Sequence, residues 1–424
     1  MATTLAEVLR HFGPALLRQW HAQGRSLAPA QAKAWQAITA CRTPALGGVL
    51  LRCDNCAAEQ WRWRSCRNRH CPQCQSRQRE AWRRARGAEL LNVPYCHLVF
   101  TLPHELNALA GAQPRWVYGT LLDSVAATLT QFAADPKWLG GIGAFTLVLH
   151  TWTQDLRRHL HVHALMACGA LATEAAGQPR WQPPRRSPTF LFPVQALSTV
   201  FRAKFMQALR TAQDAGALRL DPLANDTATR QARSQALQTK PWVVYAKTPL
   251  AGPAAVLDYL SRYTHRTAIG NERLLGIVGD KVRLRTRVNR KAGATDAADA
   301  SCSGRAVTTL PGNEFIDRLM QHVVPTGFKR IRHYGLLAPS AKAQRLATAR
   351  ALLNMPASNP VVAEEVRAFM QRVAGIDIAG CTACGLGRWH AVQCLAACRP
   401  GGQPPVAAQP STACEHAGRG PPRP

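Results

Sequence analysis

The sequence predicts an α+β fold, in which a zinc-ribbon-like module with helices precedes an antiparallel sheet that further helices cover. Two observations support this prediction. Close Cys-x-x-Cys pairs, which are typical of zinc ribbons, fall in one short segment near the N-terminus. Farther along, short apolar runs typical of strands are interspersed with longer segments whose apolar residues recur at helical spacing. Antiparallel strands mixed with covering helices define the α+β class.

The first domain is expected to span residues 1–92. Apolar residues at helical spacing predict helices at about Leu5–Trp20 and Pro29–Cys41. A compact cysteine-rich segment follows, and after it a strongly basic helix is predicted at about Ser76–Leu91. The arginines of this helix, and those around the cysteines, suit a module that contacts DNA phosphates.

Four cysteines of this domain are the candidate ligands of a structural zinc ion. They form two Cys-x-x-Cys pairs separated by 14 residues, and each pair can offer two thiolates to one tetrahedral ion: Cys53, Cys56, Cys71 and Cys74. Four protein ligands leave no coordination position open for chemistry, so the site is expected to be structural. Cys66 and His70 lie between the pairs, and either could substitute for a ligand.

The second domain is expected to span residues 93–340. Its clearest strands are predicted at Tyr95–Leu102, Phe145–Trp152 and His161–Cys168, and the short polar link between the last two fits an antiparallel hairpin. Leu275–Arg287 is a further predicted hairpin, turning at Gly279-Asp280. The helices between the strands are predicted at about Trp116–Ala134, Phe190–Gln213, Pro253–His265 and Phe315–Val323.

Two stretches of unusual composition are expected to be irregular. Lys291–Thr309 is small, polar and Gly/Ala-rich, so a loop is predicted there. Residues 341–424 are expected to be helical at first and then to form a partly disordered tail rich in Cys, Gly and Pro. Four tail cysteines, with His390 as a spare ligand, could form a second zinc knuckle: Cys381, Cys384, Cys394 and Cys398.

The charge balance of the 424-residue chain indicates a polyanionic partner. Lys and Arg number 53 against 24 Asp and Glu, which gives a formal net charge of +29. Such an excess is typical of proteins that bind nucleic acid, although an Arg-rich proteome would also produce a basic surface. No apolar run approaches the roughly 18–20 residues of a membrane span, and Glu7 and Arg10 interrupt the first apolar stretch, unlike in a signal peptide. We therefore expect a reducing compartment, where paired cysteines bind metal more often than they form disulfides.

A cluster of histidines predicts a catalytic metal site. His161 and His163 are alternate residues of a predicted strand, so both imidazoles point to one face. His150 lies eleven residues upstream, near the end of the partner strand, and hairpin pairing can bring it beside the other two. Three histidine ligands leave coordination positions open for chemistry. His159 is a spare candidate in the same alternation, and surface histidines near a sheet edge are the alternative interpretation.

Tyr259 and Tyr263 are the candidate nucleophiles. They lie four residues apart in a predicted helix, which places both phenols on one helical face, although a packed aromatic pair would show the same spacing. A free phenol titrates near ~10 and is a poor nucleophile at neutral pH. A nearby divalent metal and basic groups would favour the phenolate and stabilise charge at phosphorus. The products would be a 5′-phosphotyrosine and a free 3′-OH, and two tyrosines would allow two successive cleavages.

Taken together, these motifs resemble those of the IS91-type transposases, two-tyrosine members of the HUH superfamily, whose motif is His-hydrophobic-His. The matching stretches occur in the family's order and span roughly residues 10–340: SCRNRHCPQCQ, FTLPHEL, LHTWTQDLRRHLHVH, YLSRYTHRTAIGN and GFKRIRHYGLL. The resemblance implies a catalytic domain with an HUH-type antiparallel sheet. It assigns the histidine motif to His161 and His163 and the nucleophile motif to Tyr259 and Tyr263, and His150 stands where relaxases of the superfamily often supply a third histidine.

The resemblance also implies rolling-circle transposition, single-stranded DNA cleavage at element ends, and dependence on Mg²⁺ or Mn²⁺. The expected partners are single-stranded DNA at element ends and target DNA, with no membrane, for a cytoplasmic, nucleoid-associated bacterial protein. Phe328 and Tyr334 are expected to stack on unpaired bases. Seven basic residues are expected to contact DNA phosphates: Arg157, Arg158, Arg262, Arg266, Lys329, Arg330 and Arg332.

Two other functions are compatible with the same residues. The first is a non-catalytic zinc-ribbon DNA-binding regulator, in which the histidines and tyrosines only pack. The second is a metal-dependent hydrolase that uses His150, His161 and His163 with an activated water. The paired tyrosines favour strand transfer over hydrolysis, because hydrolysis needs no phenol. A covalent protein–DNA adduct would separate strand transfer from both alternatives.

Overall fold

The structure is a computed structural model that describes residues 3–188, 190–218, 227–250, 255–256, 268–287, 305–357, 362 and 364–397. Three antiparallel sheets and the helices packed on them confirm the predicted α+β class. Across these ranges, no helix combines the length and the apolar character that crossing a bilayer would require.

The helices and strands that were predicted within the described residues are present, with ends that differ by a few residues; of the predicted helix Pro253–His265, all but residues 255–256 lie outside the described residues. The helices are α1 (Leu5–Ala22), α2 (Pro29–Ala40), α3 (Gln75–Glu89), α4 (Asn107–Ala112), α5 (Pro114–Ala134), α6 (Val194–Asp214), α7 (Thr227–Thr239), α8 (Gly312–Met320), α9 (Lys342–Leu352) and α10 (Val366–Ala374). The strands are β1 (Gly48–Cys53), β2 (Glu59–Trp63), β3 (Tyr95–Thr101), β4 (Ile142–Trp152), β5 (Arg158–Thr173), β6 (Pro179–Gln182), β7 (Val244–Leu250), β8 (Leu274–Val278), β9 (Lys281–Arg287), β10 (Arg305–Pro311), β11 (Ile331–Gly335) and β12 (Trp389–Leu395).

The largest sheet has the strand order β11-β4-β5-β3-β7, and β6 pairs with one end of β5. Because side chains alternate along a strand, one face of this sheet is apolar and carries Phe100, Phe145 and Val162. Helices α5 and α6 cover that face, and Phe201 of α6 packs edge-on against Phe100 with a centroid distance of 5.3 Å. The opposite face carries the histidines, so burial of the first face fixes which side of the sheet they occupy.

The N-terminal helices pack on a second, three-stranded sheet with the order β10-β9-β8. Helix α1 begins with a capping box in which Thr4 Oγ1 accepts from the Glu7 amide and Glu7 accepts from the Thr4 amide. It lies against α8, where a Cβ at Gly312 would overlap the Phe12 ring, so close packing of the two helices requires a glycine. The predicted hairpin turn is confirmed, and Gly279 adopts the positive φ of +58° that the turn needs.

The third sheet joins the two ends of the described chain. Strand β12 pairs with β1 in antiparallel register, with Cys53 opposite Trp389 and Gly48 opposite Leu395. The segment expected to be a partly disordered tail rich in Cys, Gly and Pro therefore contains a strand that pairs with the N-terminal module. The domain boundaries after residues 92 and 340 stay predictions.

The prediction of a loop at Lys291–Thr309 is wrong for the last part of that segment. Residues from Arg305 onward form β10, which pairs with β9 along its whole length. Composition misled the prediction here, because β10 lies at a sheet edge and carries small and polar residues that pairing with β9 nevertheless holds in a strand. Residues 288–304 lie outside the described residues.

Candidate functional site

Three histidines converge on one face of the large sheet. His150 on β4 lies directly opposite His161 on β5, and His163 follows two residues later on the same face. One ring nitrogen of each residue lies within 4.8 Å of those of the other two. His150 is buried and the other two are half-buried. The structure thus brings together the three histidines that the sequence singled out, and their binding of a metal stays a prediction.

Hydrogen bonds hold two of these imidazoles through their Nδ1 atoms. Nδ1 of His161 lies 3.0 Å from the carbonyl oxygen of His159, to which it donates. Nδ1 of His163 lies 2.9 Å from Nε2 of His97 on the neighbouring strand β3. When each Nδ1 carries the proton, Nε2 of both residues presents a lone pair, which is the arrangement seen in metal-binding histidines.

His97 contacts this group of histidines and was not among the residues predicted from the sequence. It is only 2% exposed, and the angle of 14° between its ring plane and that of His163 lets the two rings meet edge to edge. Burial, and secondarily the charge of Lys247, lower the pKa of His97 to about 3, so the ring is neutral near pH 7. Its one signal in the sequence is a polar residue on a predicted strand, in a register that only the pairing of β3 with β5 reveals.

The surroundings of His161 favour its neutral imidazole, which is the form that binds a metal ion. Burial, followed by the neighbouring His159, lowers the pKa of His161 to about 4. A ligating imidazole must be neutral, so no proton has to be displaced near pH 7. His159, the spare candidate, does not belong to the three-histidine group, and its ring lies 5.5 Å from that of His104.

Both candidate nucleophiles, Tyr259 and Tyr263, lie outside the described residues. The described residue nearest to Tyr259 along the chain is Val256, which is fully buried in an apolar cluster with Tyr95 and Leu165. Tyr95 precedes His97 by two residues, and Leu165 follows His163 by two residues. Because alternate strand residues share a face, Val256 packs on the histidine face of the sheet, at its apolar end.

The edge strand β7 adds a tyrosine and a lysine to the histidine face. Tyr245 lies opposite Val99, which in turn lies opposite His163, and directly opposed residues of antiparallel strands share a face. Lys247 lies opposite His97 in the same way. Tyr245 is 48% exposed, so this face offers an aromatic ring and a cation beside the histidines. Neither residue was among the site residues predicted from the sequence.

The predicted phosphate contacts occupy different environments. Arg157 and Lys329 are exposed, and Arg157 pairs with Asp155. Arg158 donates to the carbonyl of Asn107, and Arg332 pairs with Asp123 at 2.7 Å. Burial, and secondarily the charge of Arg69, lower the pKa of Arg330 to about 10, so this residue is less available to DNA than predicted. Arg262 and Arg266 lie outside the described residues.

The predicted stacking of Phe328 on an unpaired base is wrong, because the residue belongs to the core. It is 5% exposed, its ring packs edge-on against that of Tyr118, and Arg332 lies over it. Tyr334 is half-buried and stacks on Phe145 at a centroid distance of 5.4 Å, on the face opposite the histidines. Among the described residues, Tyr245 is an exposed aromatic residue on the histidine face.

The predicted grouping of Cys53, Cys56, Cys71 and Cys74 around one ion is corrected by the structure. Their sulfurs divide between two clusters, each of which gathers four thiols within 4.8 Å of one another. One cluster contains Cys41, Cys66, Cys71 and Cys74. The other contains Cys53, Cys56, Cys381 and Cys384. A Cys-x-x-Cys pair supplies two ligands, and the fold, not sequence proximity, selects the other two.

The predicted second knuckle is corrected in the same way. Cys381 and Cys384 join Cys53 and Cys56, whereas Cys394 lies on β12 and Cys398 lies outside the described residues. His390, the predicted spare ligand, instead contacts Asp54 at 3.1 Å. Cys66, named as a possible substitute, is a full member of the first cluster, and His70 belongs to neither.

The first cluster has the chemistry of a structural zinc site. Its sulfurs are as close as 3.4 Å, between Cys41 and Cys74, and backbone amides point at two of them. The amide of Cys66 donates to Cys41, and that of Asn68 donates to Cys66. Hydrogen bonds from Cys66 and Cys71 lower the pKa of Cys41 to about 7, which favours the thiolate that zinc requires.

Comparison with known proteins agrees with these features. Residues 8–102 match the family described as "Transposase zinc-binding domain", and residues 143–345 match the family described as "Putative transposase". The chain is 39% identical over 396 residues to "Putative transposase y4qJ" of Sinorhizobium fredii (strain NBRC 101917 / NGR234), covering 92% of this chain and 94% of that protein. It is 25% identical over 356 residues to "Transposase for insertion sequence element IS801" of Pseudomonas savastanoi pv. phaseolicola, covering 82% and 80% of the two chains.

Among solved structures, the chain is similar to the conjugative relaxase TrwC in complex with oriT DNA. The metal-free structure gives 15% identity and a TM-score of 0.20, covering 40% of this chain and 73% of that one. The metal-bound structure gives 15% identity and a TM-score of 0.21, covering 40% and 72%. The family assignment comes from the sequence: two matched transposase families and a relative that is 39% identical over nearly the whole chain show that this protein belongs to the IS91-type transposases.

Proposed function

We propose that this transposase nicks and rejoins single-stranded DNA at the ends of an insertion sequence, through a 5′-phosphotyrosine intermediate on Tyr259 or Tyr263. The observation that carries the proposal is the convergence of His150, His161 and His163 on one face of the large sheet. Three imidazole ligands that leave coordination positions open suit a catalytic ion, not a structural one.

The donor set fits a divalent metal ion. Imidazole nitrogens bind transition metals more readily than Mg²⁺, which prefers oxygen ligands, so Mn²⁺ is the better match of the two ions that the family resemblance implies. When bound, such an ion polarises the scissile phosphate and stabilises the charge that develops there. His97 and the carbonyl of His159 orient the imidazoles that would hold it.

The placement of Val256 supports the role of the tyrosines. In the helix predicted for Pro253–His265, Tyr259 and Tyr263 follow Val256 by three and seven residues, a spacing that keeps all three on one helical face. Val256 packs on the histidine face of the sheet. On that predicted helix, both phenols would share the face of Val256 and point toward the histidine side of the sheet.

The covalent step needs no ATP, because one bond to phosphorus replaces another. The phenolic oxygen forms a bond to phosphorus while the bond from phosphorus to the 3′-oxygen breaks, and the phenolic proton ends on the 3′-OH that is released. The phosphodiester energy is kept in the phosphotyrosine, so a 3′-OH can reverse the reaction and join a new strand.

Two further parts of the chain are proposed to bind DNA and zinc. The exposed Arg157 and Lys329 would contact phosphates, and so would Arg332, which donates to the Lys329 carbonyl. The first cysteine cluster lies wholly inside the matched zinc-binding domain, and we assign the structural zinc of that domain to it. A chain of formal charge +29 that binds DNA would associate with the nucleoid.

A labelled oligonucleotide tests the proposal. The full-length protein is incubated with single strands from an element end that carry a 3′ label, with Mn²⁺, and denatured before electrophoresis. We expect labelled DNA to remain attached to the protein, and peptide mapping to place it on Tyr259 or Tyr263. The Y259F/Y263F double variant should form no adduct, whereas Tyr334→Phe, on the opposite face of the sheet, should form as much as the wild type.

Two results would contradict the proposal. Cleavage without any adduct would indicate hydrolysis by an activated water. An adduct that maps to Tyr245, an exposed tyrosine on the histidine face, would show that Tyr245 is the nucleophile.

A further inference from the structure

Cys53 and Cys56 meet Cys381 and Cys384 across almost the full length of the chain. The sulfurs of Cys53 and Cys384, 331 residues apart, lie 3.8 Å from each other. Those of Cys56 and Cys381, 325 residues apart, are also separated by 3.8 Å. All four lie within 4.8 Å of one another. The four sulfurs therefore surround one point instead of forming two separate pairs.

Each Cys-x-x-Cys pair has the backbone geometry of a metal-binding knuckle. The amide of Asn55 donates to Cys53 Sγ, and that of Ala383 donates to Cys381 Sγ, each at 3.4 Å. The amide of Gly387 donates to Cys384 Sγ at the same distance. Hydrogen bonds to sulfur stabilise the thiolate, which is the form that binds metal.

The surrounding backbone is built to bring the two pairs together. A Cβ at residue 387 would overlap Cys53 Sγ, so the close approach of the two segments requires Gly387. Asp54, between the two cysteines of the first pair, accepts from the Arg388 amide at 2.7 Å and contacts His390 at 3.1 Å. The antiparallel pairing of β1 with β12 continues away from the site, beginning with Cys53 opposite Trp389.

We propose that these four cysteines bind a second structural zinc ion, which fastens the C-terminal segment to the N-terminal module. Four thiolates in one cluster suit Zn²⁺, which takes tetrahedral sulfur ligands and leaves no position for chemistry. The site differs from the cluster of Cys41, Cys66, Cys71 and Cys74, and half of its ligands lie far beyond the matched zinc-binding domain, residues 8–102. Each half supplies only two ligands, so neither end of the chain can complete the site alone.

Cobalt substitution tests the proposal on the full-length protein. Tetrahedral Co²⁺ bound to thiolates gives a charge-transfer absorption that a histidine site lacks. The intensity of this absorption therefore measures the occupancy of the cysteine sites alone. We expect C381S/C384S to lose about half of the absorption and one zinc equivalent per chain by elemental analysis. C53S/C56S should lose the same amount, because it removes the other half of the same site. Cys168→Ala should lose none, because its thiol lies in the sheet core, 3.5 Å from that of Cys96 and outside both four-cysteine clusters.

Alkylation of the wild-type protein gives an answer even when a serine variant fails to fold. We expect a chelator to increase the alkylation rate of Cys381 and Cys384 at least tenfold, and added Zn²⁺ to restore their protection. Full Co²⁺–thiolate absorption in a folded C381S/C384S, or equal alkylation rates with and without metal, would overturn the proposal. A disulfide that forms between these cysteines under reducing conditions would do the same.

Discussion

Replacement of His97 tests how the histidine site is organised. His97→Ala removes the 2.9 Å contact between His97 Nε2 and His163 Nδ1 and leaves the fold of β3 and β5 in place. Without that partner, His163 can rotate or carry its proton on Nε2, which blocks the lone pair that a metal needs. Loss of such an orienting contact typically weakens metal affinity about 10–100-fold, equivalent to about 1.4–2.8 kcal/mol.

The assay measures cleavage of a single-stranded oligonucleotide as a function of Mn²⁺ concentration, together with direct Mn²⁺ binding by electron paramagnetic resonance. We expect His97→Ala to raise the half-saturating Mn²⁺ concentration about 10–100-fold, while cleavage at saturating Mn²⁺ recovers most of its rate. His97→Gln should recover part of the affinity, because its amide oxygen can accept from His163 Nδ1. His104→Ala, an exposed histidine near the same end of the sheet, is the matched control.

A merely structural role of His97 would give a different result. The side chain is buried, so the alanine variant leaves a cavity and loses stability in either case. Thermal unfolding measures that loss separately from metal binding. Lower stability with an unchanged Mn²⁺ affinity would refute the positioning role, as would a glutamine variant that binds Mn²⁺ no better than the alanine variant.

Three further predictions concern stability, DNA binding and metal preference. His322 is buried and hydrogen-bonded to the Leu156 carbonyl and to Thr151, and burial lowers its pKa to about 4. The unfolded chain binds a proton at this histidine at a higher pH than the folded protein does. The free energy of unfolding should therefore fall as the pH drops from about 6.5 to 4, by up to about 3 kcal/mol for this group. Urea unfolding should show a smaller fall for His322→Gln, and an equal fall would contradict this assignment. Tyr245→Ala should weaken binding of a single-stranded oligonucleotide by about 1–3 kcal/mol in fluorescence anisotropy, whereas unchanged affinity would exclude base stacking there. Mn²⁺ should support cleavage at lower concentration than Mg²⁺, and a lower half-saturating concentration for Mg²⁺ would indicate that oxygen ligands dominate the site.

Local patterns in the sequence were sufficient to predict the elements around the site. The alternation of His161, Val162 and His163 fixed a shared face for two imidazoles, since side chains alternate strictly along a strand. The short link after His150 predicted the hairpin that places it opposite His161, and the structure has that register. The α+β class and the hairpin at Gly279 followed from equally short-range signals.

Long-range pairing decided what short-range signals left open. A Cys-x-x-Cys pair shows that two thiols point to one spot, but it carries no information about which other pair shares the ion. Cys53 and Cys71 are close in sequence, and yet β1 pairs with β12, which takes Cys53 to Cys384 instead. In the same way, His97 gains its role only because β3 pairs with β5 and sets it against His163.

The sequence alone therefore predicted which side chains are available for the chemistry of this transposase, because residue type and spacing specify the candidate ligands and the strand face that they share. Only the tertiary structure decided which groups meet, because packing of the apolar face and pairing of distant strands fix contacts that spacing along the chain does not contain. The burial of Phe328, expected to contact DNA, has the same cause: its basic neighbours suggested a surface position, and packing against Tyr118 placed its ring in the core.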